Sequence, residues 1–580
     1  MAERVRASFR PTVIGNHYAA ATGHYLATAA AMRVLDAGGN AVDAGVTAAM
    51  ALAVLEPDIV SFAGVAPTLI YRREERRVVA FSGVGHWPAA VDVERLRAEG
   101  NGHVPPGILR TVVPVAPAVH IEALRRFGTI SFETAARPAM ELARDGFAMH
   151  PMLRHTIEHD AAGYRRFPEN ARIFLPGGRV PTLGERFIQA DLGRSIGGMI
   201  DAERSARGDR DAKLRAAHDH FYRGPIADAI DEYHRRHDGF MRKADLASYE
   251  ARLEEPIACD YRGLRVHACD TWCQGIVLLE ALKILEGTRF ETLGHNSTAY
   301  VHELAGALDL AFADREAYCG DPVFVRVPTA GLLSAAYAAV QRTRIDPRRA
   351  FGAMPAPGDP WPHQGEPSRA RAAAVTAEAS GPVPAPLDTI YACVVDRWGN
   401  AYSVTPSDNS HDTPIIPGTG LVISGRGSQG RLTAGHPAEV RPGKRPRLTP
   451  TPGLALRDGE FYFAFGTPGG DIQCQSMLQV LVNVVEFGMP VQQAIEAARF
   501  GSFNFPNSFS PHQYFPGRLC VETGIGAEAA ESLRALGHDV ETWPEFSWQA
   551  GAVCAILRDA ETGLLHAGAD PRREAYAAAW

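Results

Sequence analysis

The sequence predicts an α+β protein with a large helical portion, built from helices laid on sheets. Three observations predict it: helical periodicity that dominates from about 115 to 350, strand-like pairs before and after that region, and turn residues between the members of each pair. No fixed-period repeat interrupts this order.

The elements follow along the chain. Residues 25–56 are two Ala-, Leu- and Val-rich segments around Gly38-Gly39-Asn40, where Gly38 suits the end of one helix and Asn40 the cap of the next, so a buried helical hairpin is expected. Pro67-Thr-Leu-Ile-Tyr71 and Arg77-Val-Val-Ala-Phe81 read as strands around the charged turn 72–76. Apolar residues at helical spacing mark 132–143 and 299–312. Residues 352–388 carry eight prolines among Gly, Ala and Ser, with only a weakly helical patch at 369–378, which predicts a mobile linker. At Thr389 the character changes: 389–396 reads as a strand, Arg397-Trp-Gly-Asn400 as a turn and 401–405 as the returning strand. A second strand pair spans 453–465 with its turn at Asp458-Gly459, and a helical run begins at Ser476.

With 580 residues, 46% hydrophobic and 22% charged, the chain can bury a large core and is neither disordered, collagen-like nor coiled coil. Its 59 basic and 66 acidic residues, without a basic block, leave no electrostatic footprint for nucleic acid, so a small-molecule partner is expected. The longest apolar stretch, Ala44 to Leu55, is too short to span a membrane, and no h-region follows the basic N-terminus, so a cytoplasmic location is expected. Eight cysteines lie dispersed without C-x-x-C pairs and read as buried free thiols.

Two places could carry chemistry. The first is the junction Leu387-Asp388-Thr389, where a Pro-rich segment meets a strand. Cutting the bond before Thr389 would make it a chain terminus, and a terminal Thr supplies its own base in its α-amine, whose pKa of about 7.7 to 8.0 suits neutral pH. A Thr opening a strand is in itself ordinary. The second is Phe465-Gly-Thr-Pro-Gly469-Gly470-Asp, between an apolar strand and a helix. Consecutive glycines there can present two backbone N–H groups to an oxyanion, or simply make a tight turn.

At these residues the chain resembles the gamma-glutamyltransferase family of N-terminal-nucleophile hydrolases. The resemblance also runs through Gly38-Gly-Asn-Ala-Val-Asp-Ala44, Ala143-Arg-Asp-Gly-Phe147, Tyr261-Arg-Gly263, Gly320-Asp-Pro322, Val394-Val-Asp396, Gly399-Asn400, Lys444-Arg-Pro446, Thr467-Pro-Gly-Gly470 and Ala569-Asp-Pro571. It implies a four-layer αββα sandwich and a proenzyme that cuts itself between Asp388 and Thr389. The large subunit would be 1–388 and the small subunit 389–580, intertwined in one domain; a dimer of such heterodimers is left open. Thr389 matches the nucleophile, Ser407 and Asn409 the hydroxyl and amide beside it, and Gly469 and Gly470 the oxyanion pair. Neither metal nor organic cofactor is implied; the partners are a small-molecule amide and water or an amine as acyl acceptor.

The departures bear on the substrate. Glutamyl-cleaving members hold the substrate ammonium with an acidic residue where this chain has Gln429, within Ser424-Gly-Arg-Gly-Ser-Gln-Gly430. The Arg that clamps the carboxylate is missing from Phe81-Ser-Gly-Val-Gly-His-Trp-Pro88, the paired serines become Leu448 and Thr449, and the Thr-His after the nucleophile becomes Ile390-Tyr391. A glutamyl zwitterion would be buried with its charges unpaired, which is costly. An amide other than a gamma-glutamyl peptide is therefore expected, oxamate-like or cephalosporin side-chain amides being the classes that family branches suggest. Gln429, Leu448, Thr449 and Tyr391 are candidate substrate contacts. Arg426 is a candidate anion contact or an exposed loop residue.

Other readings remain beside this one. A true gamma-glutamyl transferase or hydrolase acting on glutathione-like peptides is the first alternative, and a non-catalytic scaffold of the same fold the second. His155-Thr-Ile-Glu158-His159 matches the H-x-x-E-H pattern of zinc proteases but sits in a polar stretch that reads as a solvated helix face. Gly524-Ile-Gly526-Ala-Glu-Ala529 imitates a dinucleotide fingerprint in a context too small for one, and reads as a structural turn.

Overall fold

The computed structural model describes residues 8–369 and 389–580. Two seven-stranded antiparallel sheets lie face to face. One runs in the order Val13–Gly15, Leu565–Ala569, Cys554–Arg558, Glu460–Gly466, Gly453–Arg457, Leu264–Ala268, Ile257–Tyr261. The other runs Tyr576–Ala579, Ala19–Thr22, Ala392–Val395, Ala401–Val404, Thr68–Arg72, Arg77–Phe81, Leu253–Glu254. The period of two in each strand assembles the layers. Leu454, Leu456, Cys554 and Ile556 join the core that holds Val394 and Tyr402 of the facing sheet. Their neighbours Ala455 and Ala555, with Phe463 and Phe465, pack with the helices Gly275–Leu285 and Ile472–Val485. The helices Tyr25–Asp36 and Ala41–Leu55 cover the second sheet, completing the αββα sandwich.

The predicted hairpin forms for the reasons its sequence suggests. Gly38 takes φ +90°, and the Asn40 side chain accepts the N–H groups of Val42 and Asp43 while Asp43 accepts that of Asn40. Every residue from Ala41 to Leu55 is buried. Gly45 lies flat against the Tyr402 ring, where a Cβ would come within 2.1 Å of it.

Several expectations need correction. Inside the stretch read as helical, Ile257–Tyr261 and Leu264–Ala268 form a strand pair, and the latter pairs with Gly453–Arg457. The segment expected as a mobile linker from 352 is seated through 369: Gly358 donates to Asp314 at 2.8 Å and accepts from the Tyr318 hydroxyl at 2.6 Å, and Trp361 is buried in a 3-10 turn. The rest of that segment, with Asp388 and most of the weakly helical patch, lies outside the described residues. Ladder pairing begins at Ala392 rather than at Thr389, because Thr389 bends away with φ +78°. Gly524-Ile-Gly526 is a turn between Arg518–Glu522 and the helix Ala527–Ala535, which returns to the parallel strand Asp539–Trp543. All eight cysteines are buried and free. Among the described residues no helix is long and apolar enough to cross a membrane.

Candidate active site

Thr389 sits at the mouth of the central strand Ala392–Val395 and is wholly buried. Its N–H donates to the Ile59 carbonyl at 3.1 Å, the same oxygen that receives Asp408 N–H, so one turn seats both segments. A β-branched residue at φ +78° is held against its own preference, at a cost of roughly 1–3 kcal/mol. Its hydroxyl stands 2.6 Å from Ser407 Oγ. Ser407 is fixed by paired backbone bonds to Val65, and its oxygen also accepts from the Arg426 guanidinium.

Arg426 is not an exposed loop residue. It is buried on the 3-10 turn Arg426–Gln429, with Nε 3.3 Å from Asp408 Oδ1 and its guanidinium over the Phe509 ring. The guanidinium on Ser407 Oγ favours negative charge on that oxygen and, through it, on the bonded Thr389 hydroxyl, while Asp408 shares the same guanidinium. Nearby, Arg110 bonds the Asp412 carboxylate; burial pushes that carboxyl up, but Arg110 and His411 more than offset it and hold it below its ordinary range.

Gly469 and Gly470, at φ +119° and +58°, form the turn from Glu460–Gly466 into Ile472–Val485. Their carbonyls accept from Ile472 and Gln473, while neither N–H has a partner among the described residues. A network sequence reasoning missed holds this turn. Gln274 Nε2 donates to both Gly470 O and Thr449 O at 2.9 Å. Gln274 Oε1 accepts from Arg315, which also bonds Asp471 at 2.5 Å. Behind it, burial acts to raise Glu316, yet Arg431, Arg447 and Arg315 hold it well below the usual carboxylate range. The bonds therefore run from Thr389 through Ser407 and Arg426 to the turn bearing Gln429, and on through Thr449 and Gln274 to Gly470.

The expected substrate contacts divide. Gln429 and Thr449 bond each other twice, Nε2 to Oγ1 at 2.7 Å and Thr449 N–H to Oε1 at 3.2 Å. Leu448 is corrected to a core residue, its N–H on Trp272 O and its carbonyl on Gln274 N–H. Tyr391 is likewise corrected: its ring packs on Gly466 and its hydroxyl bonds Ser403 at 2.7 Å, inside the sandwich. Asn409 is half-buried beside Ser407. The stretch after Phe81 does meet an arginine, Arg445, bonded to Ser82 Oγ, but Glu254 and Asp321 already neutralise it. Among the described residues no metal-ligand cluster surrounds Thr389, and His155, Glu158 and His159 form none either.

The profile of the gamma-glutamyltranspeptidase family matches residues 27–580. The chain belongs to this family. Among gamma-glutamyltranspeptidase relatives, the acylase ACY 1 proenzyme of Pseudomonas sp. (strain SE83) is 32% identical over 92% of this chain and 88% of its own length. The glutathione hydrolase-like YwrD proenzyme of Bacillus subtilis (strain 168) is 30% identical over 98% of this chain and 99% of its own. The crystal structure of cephalosporin acylase from Bacillus halodurans superposes with a TM-score of 0.83 at 27% identity, covering 100% of this chain and 99% of that one. This gamma-glutamyltranspeptidase member thus shares its whole sandwich with that cephalosporin acylase.

Proposed function

We infer that this chain is a self-processing amidohydrolase of the gamma-glutamyltranspeptidase family that cleaves an amide other than a gamma-glutamyl peptide through a Thr389 acyl-enzyme. The observation that carries the reading is the buried trio of Thr389 Oγ, Ser407 Oγ and the Arg426 guanidinium at a strained residue that would become a chain terminus. In processing, Thr389 Oγ attacks the Asp388 carbonyl, the C–N bond breaks, and the hydroxyl proton passes to the departing Thr389 nitrogen. Water then hydrolyses the ester, leaving a carboxylate on Asp388 and a free amine on Thr389. Breaking the peptide abolishes the φ torsion of residue 389, so its strain is released at this step. In turnover, the α-amine takes the Thr389 hydroxyl proton as Oγ attacks the substrate amide. The Gly469 and Gly470 N–H groups receive the oxyanion, the amine leaves with the proton, and water or another amine takes the acyl group.

The substrate reading rests on Gln429 and Thr449. Each spends its polar atoms on the other, which leaves an incoming α-ammonium without a carboxylate and an α-carboxylate without a paired hydroxyl. The acylase names of the relatives favour a side-chain amide such as that of a cephalosporin. Intact mass and N-terminal sequencing of wild type beside Thr389→Ala test the reading. Wild type yields a fragment of about 21 kDa beginning Thr389-Ile-Tyr and the variant stays whole; a wild-type chain that remains uncut after long incubation sinks it. Efficient turnover of a gamma-glutamyl anilide by wild type would instead favour the glutamyl alternative.

A further inference from the structure

Away from Thr389, three buried side chains meet where helix ends converge. His24 caps Tyr25–Asp36, its Nδ1 accepting Leu26 N–H at 3.2 Å. His150 caps Pro151–His159, its Nδ1 accepting Leu153 N–H at 3.4 Å. Glu56 closes Ala41–Leu55. One ligand atom from each lies within 4.8 Å of the other two. Because both caps use Nδ1, each imidazole keeps Nε2 for another partner. His150 Nε2 stands 3.1 Å from the Leu55 carbonyl and 3.7 Å from Glu56 Oε1. Groups bound about 2.1 Å from one ion lie about 3 to 3.5 Å apart, so only small movements would bring them onto a shared centre.

A second observation points to a cation. Glu56 Oε2 is buried without a hydrogen-bond partner, and so is Oδ1 of the adjacent Asp58, whose other oxygen takes the Thr156 hydroxyl at 2.5 Å. Glu574 faces the same cluster, 3.7 Å from His150 Nδ1. An ion seated between the two imidazoles and Glu56 would give that buried carboxyl a partner.

We propose that His24, His150, Glu56 and the Leu55 carbonyl bind one divalent transition-metal ion, Zn2+ by the chemistry of the set. Two imidazoles and a carboxylate favour Zn2+ over Mg2+ or Ca2+, and a fourth ligand from the backbone makes the site structural. The ion would tie three helix ends to one turn. That turn continues into the nucleophile's seat: the Glu56 carbonyl accepts from Ile59 and Val60, and the Ile59 carbonyl accepts from Thr389 and Asp408.

The test uses the full chain. Wild type is stripped with a chelator, returned to Zn2+, and read by elemental mass spectrometry and thermal unfolding beside Glu56→Gln and His24→Asn, the latter keeping an N-cap acceptor for Leu26. About one equivalent of Zn2+ per wild-type chain is expected, with a Tm that rises with Zn2+ concentration. Both variants should bind at least about 100-fold more weakly, while His155→Ala with His159→Ala leaves binding unchanged. Wild type that retains no Zn2+ and shows no Tm shift overturns the proposal, as does undiminished binding in both variants. Should the variants fail to fold, the wild-type titration alone decides.

Discussion

Thr389 is poised by neighbours rather than by its own chemistry. The turn at Ile59 holds its nitrogen, Ser407 meets its hydroxyl and Arg426 charges the pair. The oxyanion turn depends on Gln274 in the same way. Gln274→Leu should lower kcat by about 10- to 100-fold with KM little changed, because the Gly470 turn loses its brace while substrate contacts stay; steady-state kinetics on the cleaved enzyme read this. Gln429→Asp should not by itself create gamma-glutamyl transfer, since no carboxylate clamp accompanies it and the Thr449 pairing is broken; an anilide assay that gains more than about tenfold would refute this. Thr389 and the glycine pair were singled out in the sequence because residue type and position beside a strand are local signals, whereas Ser407 came from the family resemblance alone. Gln274 and Arg315 were not, for their meaning comes from partners on distant segments. Whether Arg426 was an anion contact or an exposed loop residue stayed open for the same reason: Ser407 and Asp408, which pair with it, belong to another loop.

Between elements, polar joints carry consequences that depend on pH. Asp309, in the helix Thr298–Tyr318, accepts from Ser502 at 2.5 Å and from Asn504 at 2.8 Å, and burial pushes its carboxyl up to about 7 despite those bonds. The folded protein therefore holds a proton there that the unfolded chain releases near pH 4. This stabilisation is complete below that point and is lost as pH rises towards 7, so Asp309→Asn should flatten the change in Tm between pH 4 and 7, as calorimetry would show. Gly45→Ala tests a tight helix-to-sheet contact; driving a methyl into Tyr402 should cost about 1–3 kcal/mol in denaturant unfolding. The caps at Gly38 and Asn40 and the turn at Asp458-Gly459 could be read beforehand because each is written in a few adjacent residues. The strands 257–268 could not, since their pairing with Gly453–Arg457 is what makes them strands.

At the scale of the molecule, the two fragments expected from processing are woven together. Ala392–Val395 lies between Ala19–Thr22 and Ala401–Val404, and Tyr576–Ala579 flanks Ala19–Thr22 on its other side. After cleavage the fragments should travel as one particle in native size-exclusion chromatography and part only in denaturant; early separation would contradict the shared sheet. The weave also orders events in time. The pocket that strains Thr389 requires strands from residues near 20, near 70 and near 400, and the sheet that supports them is finished only when residues 576–579 dock. A nascent chain lacking those residues has no complete sheet around Thr389 and its strained φ. Release of the free amine would then certify that assembly is finished, and a misassembled molecule would stay chemically silent.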